Sequence, residues 1–199
     1  MTLDEMKREI AKLKELTEVV YSKEPMWKVS RIECLDPAPA VEIESWSASL
    51  PYPLPPSYRR FLELHDGCMN LWGAFALAGT KGAPRAVVEA EIKDAAEHQE
   101  KMIMERIGDF SPEAIRKYEE PEGQRQRLYV PAHTVVGANR KGAFLLLYEG
   151  KSSSPGEFEL IHYTYSAGAY ARYPDFPAYL RATAETLQKR IRDKGYVKA

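Results

Sequence analysis

Cysteine is scarce in this chain: Cys34 and Cys68 are the only two among 199 residues. Two are too few for a disulfide framework and lack the spacing of a zinc site, so the sequence points to a reducing, cytoplasmic setting. Long hydrophobic runs are missing as well, which excludes membrane-spanning helices. The N-terminal MTLDEMKREIAKLKEL alternates charges where a secretory peptide needs an uninterrupted apolar stretch. Excess charge is absent too. A formal net charge of −1 argues against the broad basic footprint by which most nucleic-acid binders neutralise phosphates. No internal repeat or low-complexity tract interrupts the chain. Nor is there an HExxH, a P-loop, a GxSxG elbow or a GxGxxG opening a helix. Without such constellations the expectation is a non-enzyme with no cofactor and no metal.

What is present suits a globular protein. Apolar residues make up 44% and charged residues 29%, well away from the composition of disordered chains. The length favours one domain over residues 1–199 with an elaboration. Residues 1–124 carry 23 acidic and 16 basic side chains, and residues 125–199 carry 6 and 12. Such a split steers a charged partner if the halves separate in space and is ordinary solvated surface if they interleave.

Periodicity outlines the elements. Thr2 with Glu5 forms a capping-box pattern, and Leu3, Met6, Ile10, Leu13, Leu16 and Val20 recur at helical spacing, giving a helix over about residues 1–22. Its stripe packs on its own domain or pairs two copies. Trp27 to Leu35 reads as a strand. DPAPA (36–40) then leads into a helix through Val41, Ile43 and Trp46. The prolines of LPYPLPP (50–56) forbid strand pairing and hold the chain extended. A helix from Ser57 to about His65 follows, with Tyr58, Phe61 and Leu62 on its inner face and Gly67 as the left-handed residue that ends it. Asn70 to Ala78 reads as a core strand.

Residues 81–127 read as a helical insertion, with Pro84 opening a long helix, Ser111-Pro112 starting a shorter one and EEPEGQRQR as a polar linker. The segments 127–137, 142–150 and 156–166 are β-prone and separated by turns, as consecutive antiparallel strands are. SAGAYARYP (166–174) reads as a flexible loop. Asp175 then caps a last helix carrying Phe176, Tyr179, Leu180, Ala184, Leu187 and Ile191 inward. The fold expected is α+β, a central mostly antiparallel sheet with flanking helices.

Candidate functional residues are few. His65-Asp66 has the composition of an oriented base, but neighbours at a helix end seldom face each other. His133 is expected in a turn, and His162 at a hydrogen-bonded sheet position. His98 follows Asp94 by one helical turn, without the further ligands a metal needs. Glu89, Glu91, Asp94, Glu97 and Glu100 offer either an acidic face to a basic partner or a solvated helix surface. Tyrosine is concentrated near the end, and Tyr163, Tyr165, Tyr170 and Tyr173 are either interface or core residues. Glu91, Asp94 and these four tyrosines are the partner-binding candidates.

The proline-bounded LPPSYRRFLELHDG (54–67), the preceding VEIESW and the closing PDFPAYL together resemble the SUKH superfamily, the Smi/Knr-type domain. The likeness falls on Leu54-Pro55, Tyr58, Phe61-Leu62, Asp66-Gly67, Val130-Pro131, Phe144 to Tyr148, and Phe176 with Leu180, the last pair one residue wider than the family pattern. It covers about residues 29–80 and 127–187. The resemblance implies a small α+β domain that binds protein. Bacterial members are largely immunity proteins that neutralise cognate toxins, often nucleases or nucleic-acid deaminases, and fungal relatives regulate cell-wall signalling. It therefore implies a protein partner, a toxin domain first and an endogenous regulatory partner second. From the net charge and the lack of long apolar runs, no direct nucleic-acid or membrane contact is expected, and from the N-terminal stripe the chain is a monomer or homodimer.

Overall fold

A computed structural model describes residues 1–24, 32–71, 75–121, 126–148, 155–165 and 167–196. Its architecture is α+β. Among the described residues there are six helices and one antiparallel sheet of seven strands, whose spatial order follows the order in sequence. No helix is long and apolar enough to cross a membrane, among the described residues.

The helix α3 (Pro56–Leu64) sets the core. Pro55 holds the entry extended and Pro56 takes a first-turn position where no amide is needed. Proline supplies no capping oxygen. That part is played by Glu157, which accepts from Ser57 N–H at 2.9 Å and from Ser57 Oγ at 2.5 Å. Tyr58, Phe61 and Leu62 are fully buried. The Tyr58 and Phe61 rings meet Phe176 at 4.9 and 5.5 Å in edge-on geometry. The Tyr58 hydroxyl donates between the carbonyls of Ala78 and Val136, at 2.8 and 2.9 Å, so the one polar atom of this cluster is satisfied by the sheet beneath. Beyond the helix, Gly67 has φ +86°, and a Cβ there would lie 2.7 Å from Gly79 N and 2.8 Å from Leu77 O. Only glycine lets these backbones approach so closely. The helix itself ends earlier, at an extended His65.

Two further helices flank α3. The first, α1 (Leu3–Lys23), has the predicted capping box and buries Met6, Ile10, Leu13, Thr17 and Val20 against α3 and α6 (Phe176–Lys194). Its apolar stripe is thus covered within the chain. In α6, Asp175 Oδ1 accepts from Ala178 N–H at 2.7 Å, and Phe176, Tyr179, Leu180, Ala184 and Leu187 face inward. Glu24, just past α1, accepts from Arg190 and from Tyr196 Oη at 2.9 Å, which joins the C-terminal ends of the two helices. The short helix α2 (Ala40–Ala48) starts after Pro39 without a side-chain cap.

The sheet departs from expectation at three places. First, β1 (Glu33–Cys34) and β2 (Cys68–Met69) place Cys34 directly opposite Cys68, and the two are joined in a disulfide. Two cysteines are too few to suggest a disulfide framework, yet they pair: the bond depends on register between segments 34 residues apart, which composition does not reveal. Second, β3 is only Ala76–Leu77, shorter than the strand expected over Asn70 to Ala78, of which residues 72–74 lie outside the described residues. Most of the strand expected from Trp27 lies outside them too. Third, the segment expected as a loop at 166–174 is β7 (Gly168–Tyr173). It pairs with β6 (Glu159–Thr164) through a register shift between His162 and Tyr163.

Between β3 and β4 (Thr134–Asn139) run α4 (Gly82–Ile107) and α5 (Pro112–Glu119). The first starts two residues before Pro84. Ile103, Ala114, Tyr118 and Tyr129 form a small apolar cluster separate from the main core. A buried amide knits the two clusters together. Gln99 Nε2 donates to Leu128 O at 2.6 Å and to Tyr163 Oη at 3.3 Å, while Gln99 Oε1 accepts from Val130 N–H at 2.9 Å. A single turn of 3-10 helix at Val130–Ala132 then leads into β4.

Candidate functional site

The expected partner-binding residues divide sharply by position. Tyr163 is 1% exposed, its hydroxyl in the Gln99 network. As a contact residue it is ruled out, because β6 turns it toward the core. Tyr173 is half-buried with its ring 5.3 Å from Tyr179, so it packs β7 on α6. Tyr170 lies on β7, and its side chain is outside the described residues. Glu91, Asp94 and Tyr165, by contrast, come together where α4 passes the turn between β4 and β5 (Ala143–Tyr148).

That turn explains the arrangement. Gly142 has φ +70°, and a Cβ on it would stand 2.7 Å from the Tyr165 ring. The ring therefore lies against bare backbone, with Phe144 at 5.6 Å and His98 at 5.1 Å on other sides. Burial, and after it the carboxylates of Glu91 and Asp94, raise the Tyr165 hydroxyl above its ordinary value. Glu91 is itself raised, first by burial and then by Asp94, against the opposing pull of Gly142 N–H and Arg140. Asp94 and Glu97 stay exposed. The acidic face is thus smaller than its sequence suggests. Glu89 accepts from Arg85 Nε at 2.6 Å and Glu100 from Tyr129 Oη at 3.2 Å.

Beside the carboxylates, α4 presents Ala83, Ala86, Val87 and Ala90 to a groove of about 500 Å³ closed by Glu91 and Arg140. Short side chains let a partner's backbone come close, and the flanking carboxylates favour a basic one. No reacting group lies in this groove; its chemistry is that of contact.

The histidines have other roles. His65 Nδ1 lies 3.3 Å from Leu35 O and its Nε2 3.4 Å from Lys14 Nζ; burial, then Lys14, lower its affinity for a proton. Its neighbour Asp66 turns away to accept from Thr80 N–H and Oγ1, so the two form no catalytic pair. His162 is buried against Phe75 at 5.1 Å, and burial lowers its pKa to about 4. No group of three or more potential ligands gathers for a metal, among the described residues.

Two sites went unread in the sequence. One is a cavity of about 580 Å³ where α1, α3 and α6 meet, lined by Arg8, Arg60 and Arg181 as well as carboxylates. Of the latter, Glu5, Glu157 and Asp175 are committed to helix starts. The other is His133, which closes the turn at Val130–Ala132 as expected but is also buried, with Nε2 3.2 Å from Glu119 Oε1. Its partner is on α5, so no local pattern announces it. No protein-family model matches the chain, and no curated protein does.

Proposed function

We propose that the chain is a non-catalytic protein-binding domain of the SUKH type, an immunity protein that binds and neutralises a cognate bacterial toxin. One observation carries this reading. The distinctive residues of LPPSYRRFLELHDG all serve the scaffold: Tyr58 bonds the sheet, Phe61 and Leu62 fill the core, Asp66 bonds Thr80 and Gly67 admits Gly79. A motif used wholly for architecture suits a family in which one frame serves many partners. Blocking a toxin requires a complementary surface and no chemistry of its own. The acidic shoulder of α4, with Asp94 and Glu97 exposed beside the groove, supplies such a surface for a basic nuclease-like domain.

Cytoplasmic action belongs to this proposal. The Cys34–Cys68 disulfide argues the other way, because cytosolic thiols are kept reduced; the redox state of the pair in the native cell decides between them. A regulatory module binding an endogenous protein is the alternative. Its dimeric version relied on the stripe of α1, which packs on α3 and α6. The test is co-expression with the toxin-like products of neighbouring genes. Growth rescue and co-purification are expected for one of them. If no neighbouring product is bound or neutralised, the immunity reading fails for this protein.

A further inference from the structure

The cavity where α1, α3 and α6 meet has no part in the partner-binding reading. All three helices begin there: Met1 and Glu5 line it at the start of α1, Pro56 at the start of α3, and Asp175 with Pro177 at the start of α6. Each helix also contributes one arginine from its second turn, Arg8, Arg60 and Arg181 respectively. A helix start carries partial positive charge and disfavours cations beside it. Guanidiniums near three converging starts therefore repel one another and the helix ends unless an anion answers them.

Carboxylates line the same cavity, yet they are turned to the helix starts. Glu5 Oε2 accepts from Thr2 N–H at 2.7 Å, both oxygens of Glu157 accept from Ser57, and Asp175 Oδ1 accepts from Ala178 N–H at 2.7 Å. A carboxylate so placed answers the positive end that it caps. The remaining one, Glu9, has its Oε2 screened from solvent. The arginines are not matched in this way. Arg60 donates to Met1 O at 2.6 Å, and none of Arg8, Arg60 and Arg181 forms an ion pair among the described residues. Arg8 and Arg181 are exposed and Arg60 is half-buried. Since all three line the cavity, a molecule seated in it meets them.

We propose that this cavity binds a small molecule carrying two or more linked phosphates. Guanidinium forks match phosphate oxygens two at a time, and arginines on separate helices suit an anion with charge at several points. Size supports the class. The volume of about 580 Å³ lies within the range of small-ligand pockets, roughly 300–1,000 Å³, and exceeds what a lone phosphate fills. The proposal is independent of the partner-binding reading, which concerns the outer face of α4.

The experiment titrates full-length protein by calorimetry with tripolyphosphate, orthophosphate and citrate, the last a polyanion without phosphorus. Tripolyphosphate is expected to bind one-to-one, at least about tenfold more tightly than either of the others, and to weaken as salt is raised. The double variant Arg8→Gln/Arg181→Gln should lose at least about tenfold in affinity, and Arg140→Gln, beside the groove of α4, should lose nothing. Should the double variant not fold, the comparison of the three anions on the unaltered protein still decides. ATP distinguishes the sources of the phosphates: tighter binding than tripolyphosphate marks a nucleotide, equal or weaker binding a free phosphate chain, and both support the site. Equal affinity for tripolyphosphate and citrate or orthophosphate, no binding at millimolar concentration, an unweakened double variant, or equal loss in Arg140→Gln would each overturn the proposal.

Discussion

The two flanks of the molecule are held together by different means. Around α3 the core contacts are mainly apolar and ring on ring, with the buried Tyr58 hydroxyl answered by backbone carbonyls and the buried Ser57 by Glu157. Around α4 and α5 a buried amide, a carboxylate and an imidazole bridge two clusters, with Gln99, Glu119 and His133 as the links. Apolar packing stabilises in proportion to area and tolerates little loss of volume. Polar links contribute less each, but leaving one partner unmatched is costly. The first flank is the frame, and the second carries the groove and the acidic shoulder.

The contrast predicts a ranking of effects. Phe61→Ala should be the most destabilising, by about 3–5 kcal/mol in chemical denaturation, since the ring is fully buried among others. A loss below about 1 kcal/mol would show that the α3 core is looser than its contacts suggest. Reducing the Cys34–Cys68 bond should cost about 3–4 kcal/mol from loop-closure entropy, read as a lower denaturation midpoint in the presence of reductant. Gln99→Leu should cost about 2–3 kcal/mol, because it strands Val130 N–H and Leu128 O inside the protein. A neutral outcome there would mean that the second flank is apolar in its energetics after all.

Glu24 provides a smaller, pH-dependent effect. Hydrogen bonds from Arg190 hold its carboxyl at about 2, below the usual value of 4.5. A depressed folded-state pKa stabilises above the unfolded value, and the contribution is lost as pH falls from about 4.5 through about 2. Glu24→Gln should remove that part of the acid sensitivity, on the order of 1–2 kcal/mol once the partly exposed Arg190 is discounted for solvent screening. Stability measured at pH 7 and at pH 3 in both proteins provides the check. Asp94→Lys with Glu97→Lys should be smallest for folding, within about 0.5 kcal/mol.

Legibility follows the same division. The capping box at Thr2, the inner face of α3, the Asp175 cap and strands β5 and β6 were readable because each depends on residues a few positions apart. The α+β class follows from those elements. What escaped depends on distant partners. Glu157 caps a helix 100 residues away. The disulfide needs the register of β1 on β2. GAYARY, with glycine and alanine between its tyrosines, looks like a loop until β6 pairs with it. Of the candidate site, Glu91, Asp94 and Tyr165 were named and do meet, yet Gly142, which makes room for the ring, and Arg140 beside them were not. Tyr163, read as either interface or core, is core: Leu160, Ile161, His162 and Tyr163 are all buried, so both faces of β6 are covered, which the strand's own sequence does not reveal.

We propose that one flank is frame and the other is contact surface for a toxin. Isothermal titration of the purified partner domain tests it most directly, with the unaltered chain, with Asp94→Lys/Glu97→Lys, and with Glu63→Lys on the exposed side of α3 as control. A one-to-one complex is expected, which the α4 double substitution weakens at least about tenfold and the α3 substitution leaves unchanged, with all three proteins equally stable. No complex with the unaltered chain, or equal weakening by both variants, would contradict it.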